Sequence, residues 1–155
     1  MSWPLGRDEL NALIADRELE RVTPNQDGAQ ALLDAAARHL HSAELLVESD
    51  PEGAYVMVYD ATRKTLTSLL LTQGLRPTTR GGHRVVERAI NAQFTKPPPR
   101  DAFRPFRRMR QTRHQVEYEH LSAVDADLVR GDLMLARRIH QMATALLPEM
   151  PVFSG

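Results

Sequence analysis

"AYVMVYDATRKTLTSLLLTQG", Ala54 to Gly74, decides the fold class. Its first six residues, rich in β-branched and aromatic side chains, have the composition of a strand. The segment as a whole does not alternate. Tyr55, Val58, Tyr59, Thr62, Leu66, Leu69 and Leu70 recur at three and four, the apolar stripe of a helix. Asp50 suits an N-cap, Pro51 the first turn and Gly74 the position just past the last turn. The segment therefore reads as a helix over about residues 52–73.

The same periodicity extends outward. "GRDELNALIADRELERV" places Leu10, Leu13, Ile14 and Val22 around a polar remainder and reads as a short helix over about residues 7–20. "VTPNQDGAQ" breaks it, with Thr23 or Asn25 able to cap the next helix. That long helix, over about 26–48, carries Leu32, Leu33, Ala36, Leu40, Ala43 and Leu46 or Val47. "LRPTTRGG" reads as a loop, and "HRVVERAINAQF" as a shorter helix with Val85, Val86, Ala89, Ile90 and Phe94 on one side. The three prolines of "TKPPPRDAF" make a rigid connector. It leads into a helix from about Phe103 to Tyr118, with Pro105 in its first turn. A last long helix contains Gly131 at a mild local cost, and residues 148–155 form a tail.

No strand, repeat or low-complexity tract is expected. The chain is read as one all-α domain over residues 1–155, with its core at about 26–147. Short links between long helices favour an antiparallel four-helix up-and-down bundle with one or two short flanking helices. A length of 155 residues suffices for a real core, and aromatics at 5% leave that core to Leu, Ala, Val and Met.

Composition excludes whole classes of function. With no cysteine, disulfides, thiolate metal sites and cysteine nucleophiles are ruled out. No apolar run approaches the ~20 residues that span a bilayer, and "MSWPLGRDEL" lacks the pattern of a signal peptide. No membrane association is expected, and a cytoplasmic location is the default. No His, Asp or Glu group has metal-ligand spacing, so neither metal nor other cofactor is expected. The serine-hydrolase elbow, paired glycosidase carboxylates and the P-loop pattern are missing.

Net charge is zero, but its distribution is uneven. Residues 100–114, "RDAFRPFRRMRQTRH", hold six arginines against one aspartate. On a helical wheel Arg110, Arg113, His114, Glu117 and His120 or Leu121 share one side, while Phe106, Met109, Thr112 and Val116 make the packing stripe. Arg113 and His120 stand two turns apart on the polar side. Such a side suits RNA chemistry. Arginine offers a permanent charge and a forked set of donors matched to phosphate oxygens. Histidine, titrating near neutrality, can carry the proton to or from a ribose hydroxyl or a leaving oxygen. No metal is needed, and two-fold symmetry would supply both an acid and a base around one cleft. The blander reading is a solvated face, with Arg113 and Glu117 as a surface ion pair, Tyr118 packing and His114 in the core.

Other polar groups carry weaker signals. "YDATRK" sets Asp60 one turn from Arg63 and Lys64; it orients an arginine of the later helix, makes a surface ion pair along its own helix or plays a structural inter-helix role, the last being the favoured reading. "TTRGGH" places two glycines before His83, where helix capping outweighs anion binding. His39, His41 and His140 form no cluster.

"RQTRHQVEYEH", Arg110 to His120, resembles the signature helix of HEPN domains, in which an arginine, a polar residue and, a short gap later, a histidine recur. The likeness is greatest to the bacterial SAV_6107-like HEPN branch, whose helix resembles "RRxRNxxEYP"; here the sequence is "RQTRHQVEYE". "YDATRKTLTSLLLTQGLRPTTRGGH" and "LNALIADRELERVTPN" resemble other segments of that branch, so the likeness covers roughly residues 8–147. It implies a homodimer of four-helix cores. In nuclease members, among them toxins of toxin–antitoxin pairs and defence ribonucleases, Arg and His of both copies cut RNA without metal. Carried over, Arg113 would bind phosphate and His120 would carry the proton, supported by Arg110, His114, Glu117, Tyr118 and Asp60. Three readings stay open: a ribonuclease with an antitoxin-like protein partner, a catalytically silent dimer that binds RNA, a nucleotide or a partner protein, and a purely structural bundle.

Overall fold

The computed structural model describes residues 4–118 and 124–155. It is all-α, apart from one two-stranded ribbon. Helix α1 is Arg7–Ala15, α2 Gln26–Leu46, α3 Pro51–Thr72, α4 Arg84–Gln93, α5 Pro99–Phe103, α6 Pro105–Tyr118 and α7 Ala126–Leu146. The deciding segment is helical throughout: Tyr55, Val58, Leu66, Leu69 and Leu70 are fully buried, Thr62 and Tyr59 nearly so.

The caps lie where capping chemistry requires them. Asn25 accepts a hydrogen bond from Gly28 N at 2.7 Å, Asp50 from Gly53 N at 3.0 Å and Asp125 from Leu128 N at 2.9 Å. Pro51 opens α3, and Gly74 closes it at φ 81°.

Helices α2, α3, α6 and α7 form the four-helix core, with α3 packed against α2, α4, α6 and α7. Contacts between elements fix the directions. Asn25 bonds to Leu71 while His39 lies beside Asp60 and Lys64, so α2 and α3 are antiparallel. His140 reaches the carbonyl of Leu33 while Arg137 meets Glu44 and Arg130 meets Glu48, so α2 and α7 are antiparallel too.

A polar knot, buried at Tyr55 and Asp132 and open to solvent at Arg108, ties α3, α6 and α7 together. Arg108 grips the carboxylate of Asp132 through both terminal nitrogens, at 2.9 and 2.5 Å, and Tyr55 donates its hydroxyl to the same carboxylate at 2.7 Å. The side chain of Asp132 is only 3% exposed. Burial and the Asp132 hydrogen bond drive the Tyr55 phenol far above its ordinary range, so it stays a donor.

Four boundaries differ from the sequence expectation. The first helix ends at Ala15 instead of continuing to about residue 20. Arg17 N bonds to Ile14 O and Glu18 N to Leu13 O, the double closure of a helix end in which the left-handed residue is usually glycine. Here it is Arg17, at φ 62°, so no glycine marks the stop. Strands were not expected, yet β1 (Leu19–Arg21) pairs antiparallel with β2 (Leu75–Pro77), register Glu20 to Arg76. Three residues are too few for alternation to show. The connector after Lys96 is not wholly rigid coil, because Pro99 starts the short α5 at a position needing no N–H. Finally, the tail beyond residue 147 is docked: a 3-10 turn spans Leu147–Glu149, Phe153 N bonds to Gln73 O, and the Phe153 ring is buried beneath the Arg21 guanidinium.

Candidate functional site

Helix α6 divides as its pattern requires. Phe106 and Met109 are buried, Thr112 and Val116 partly so, while His114, Glu117 and Tyr118 are exposed. Phe106 stacks parallel to Tyr59 of α3 at 5.7 Å, and the Thr62 hydroxyl lies 3.8 Å from the Met109 sulfur. These apolar contacts set the rotation of α6 and so aim its polar side at the start of α4.

That side opens into a cleft of about 250 Å³ lined by Arg110, Arg113, His114, Glu117 and Tyr118 of α6, Tyr59 of α3, and Gly81, His83 and Arg84. Past Arg113, Glu117, Tyr59 and His83 it leads into a second hollow of about 210 Å³ lined also by His39, Asp60 and Arg63. Five of the expected residues, Arg110, Arg113, His114, Glu117 and Tyr118, therefore meet in one place. The sixth, Asp60, lines the adjoining hollow. His120 falls outside the described residues.

Each cation of α6 that faces the cleft arrives with a counter-charge. Arg113 pairs with Glu117 at 2.9 Å and Arg110 with Glu87 of α4 at 2.9 Å. Arg84 has no ion-pair partner among the described residues. The rings of His114 and Tyr118 tilt against each other at 4.8 Å, leaving Tyr118 65% exposed as a platform on the rim.

Asp60 bonds to Lys64 at 2.6 Å and Arg63 at 2.8 Å, and lies 3.5 Å from His39 of α2. It makes no ion pair with an arginine of α6; Lys64, bonded to both, joins it to His39 of α2. Burial alone would raise its pKa, but the hydrogen bonds from Lys64 and Arg63 prevail and hold the carboxyl below its ordinary 3.8. Lys64 has only donors to offer, so at 2.8 Å His39 Nε2 must accept. Burial, then the Lys64 charge, lower the affinity of His39 for a proton to match.

Sequence reasoning missed His83 and Tyr59 as site residues. Tyr59 reads as core, and its ring is indeed buried; its hydroxyl nonetheless meets His83 Nδ1 at 2.9 Å in the cleft wall. Burial pushes the Tyr59 phenol up to about 12, keeping it neutral. Burial and then the Arg63 charge lower His83 below the ordinary 6.5. His83 stands thirty positions before Arg113 in the chain. No local spacing announces their meeting; only the packing of α4 beside α3 and α6 creates it. His83 does occupy the N-cap position of α4, but its side chain makes no capping bond.

Among the described residues no His, Asp and Glu side chains group as a metal site, and no helix is long and apolar enough to cross a membrane. The HEPN domain family matches residues 29–146, so the chain belongs to that family. Membership supports a general role in cleaving RNA or in binding RNA or nucleotides. No curated protein and no solved structure matches the chain.

Proposed function

We propose that this protein is a homodimeric, metal-independent endoribonuclease of the toxin–antitoxin or defence type, acting in the cytoplasm and related to the SAV_6107-like branch. The observation that carries the reading is the convergence of Arg110, Arg113, His114 and His83 in one solvent-open cleft of a HEPN domain. In it Arg113 binds the scissile phosphate, with Arg110 and His114 beside it. His120 carries a proton. Tyr118 offers a ring face on which a base can stack, an interaction worth about 1–3 kcal/mol.

Charge on the attacked phosphate is the problem such a site must solve. Arginine at the phosphate lowers it without proton traffic, and imidazole moves the proton. The Arg113–Glu117 pair does not prevent this. Glu117 is nearly half exposed, and a pair one helical turn apart with one solvated partner is worth less than a charge-assisted bond to phosphate.

The same pairs favour a second reading, in which the dimer is catalytically silent and grips RNA, a nucleotide or an antitoxin-like protein. Both α6 arginines that face the cleft are already neutralised, by Glu117 and Glu87. Incubation of the purified protein with single-stranded RNA, with and without chelator, separates the two. Cleavage that resists chelator and is lost in Arg113→Ala and His120→Ala is the expected result. Retarded but intact RNA would establish the binding module instead.

A further inference from the structure

We propose that His83 is a second catalytic residue, the base that takes the proton from the attacking ribose 2′-hydroxyl, with Tyr59 holding its ring. This inference rests on the ribonuclease reading above and adds to it a group from outside the α6 signature helix.

The geometry has three parts. His83 lines both the main cleft and the adjoining hollow, in each case with Arg113 and Glu117. Its Nδ1 is occupied by Tyr59 Oη at 2.9 Å, and its Nε2 has no hydrogen-bond partner among the described residues. Tyr59 cannot swing away, because it is 3% exposed and stacked on Phe106. A ring fixed at one nitrogen by a buried neutral group, with the other nitrogen open to a phosphate-binding cleft, has the arrangement of an oriented base. The role requires the tautomer in which Nδ1–H is donated to the phenol oxygen, so that Nε2 carries the lone pair and the Tyr59 hydroxyl proton is left to the cleft that Tyr59 lines.

The charges around the ring agree. Arg63 and Asp60 face it from α3, and Arg113 and Glu117 from α6. Burial and the arginines outweigh the carboxylates, so His83 is neutral and able to accept at neutral pH.

The step balances. Nε2 takes the 2′-hydroxyl proton, and the 2′-oxygen attacks the adjacent phosphorus. The bond from phosphorus to the 5′-oxygen breaks, and that oxygen receives the proton which the ribonuclease reading assigns to His120. The products are a 2′,3′-cyclic phosphate and a 5′-hydroxyl. No oxidant, reductant or further reactant is consumed.

The test uses the full chain and a labelled single-stranded oligoribonucleotide. His83→Gln, at a position more than a third exposed, is expected to lower kcat about 100-fold with KM within twofold, and added imidazole is expected to restore part of the rate. Wild-type kcat/KM should rise with pH along an acid limb centred below 6.5, and Tyr59→Phe should lower kcat and displace that limb. Wild-type kcat in His83→Gln alongside an inactive Arg113→Ala would overturn this inference and leave the ribonuclease reading standing. So would an acid limb at or above 6.5, whatever the variants do. No cleavage by the wild-type protein would overturn both.

Discussion

Arg113 reaches the cleft already bound to Glu117, at 2.9 Å, and Glu117 is itself nearly half exposed. Removing that acid frees the arginine without moving it. Glu117→Gln is predicted to tighten RNA binding about two- to fivefold, the equivalent of a surface pair, in a filter-binding titration at low salt. The gain should shrink as salt rises. A second consequence concerns His39 and His83, both with folded-state proton affinity lowered below the ordinary 6.5. The unfolded chain binds protons at these sites more readily, so stability is full above 6.5 and falls as pH drops through it. Asp60, held below 3.8, does not contribute until lower pH. The denaturant midpoint should therefore decrease between pH 7.5 and pH 5, and His39→Gln should flatten that slope. The α6 half of the site was legible because helical spacing reports directly on shared faces: Arg110, Arg113, His114 and Glu117 obey it. His83 and Tyr59 were not, since a pairing across two elements leaves no periodic trace.

Helix α6 is held to α3 and α7 by the polar knot as well as by its apolar stripe. Arg108, about half exposed, covers the Asp132 carboxylate, and Arg108→Ala would remove its charge partner and open it to water. A cost of about 1–3 kcal/mol is predicted by urea unfolding. Tyr55→Phe, which removes one hydrogen bond and keeps the ring, should cost about 1–2 kcal/mol. Near-zero effects in both would mean that the knot adds nothing to the seating of α6. None of it was expected, because Asp132 reads in sequence as one more polar residue beside Gly131. The long helices and their caps were readable from periodicity and from Asn25, Asp50 and Gly74. The β ribbon and the end of α1 were not, being fixed by a cross-chain pairing of three residues and by an arginine in a glycine's usual conformation. Gly74 illustrates the readable kind. At φ 81°, with Val22 O 2.9 Å from where a Cβ would stand, Gly74→Ala is predicted to cost about 1–2 kcal/mol in thermal unfolding.

For the whole molecule, the all-α bundle and its family are legible in the sequence, while the assembly is not. Nothing in one chain's periodicity says which exposed face meets a second copy. The pairing of two cleft-bearing surfaces accordingly stays a proposal, alongside the part played by His120. What the fold does supply is a cleft in which arginine, histidine and an exposed tyrosine ring face the same solvent volume. If that cleft performs internal cleavage, the ends of the cut RNA carry the record. The most direct measurement is mass spectrometry of products formed by the purified protein in excess chelator. Fragments ending in 2′,3′-cyclic phosphate, with 5′-hydroxyl partners and none from Arg113→Ala, are the predicted result. Uncut RNA, or fragments with 3′-hydroxyl and 5′-phosphate ends, would contradict it.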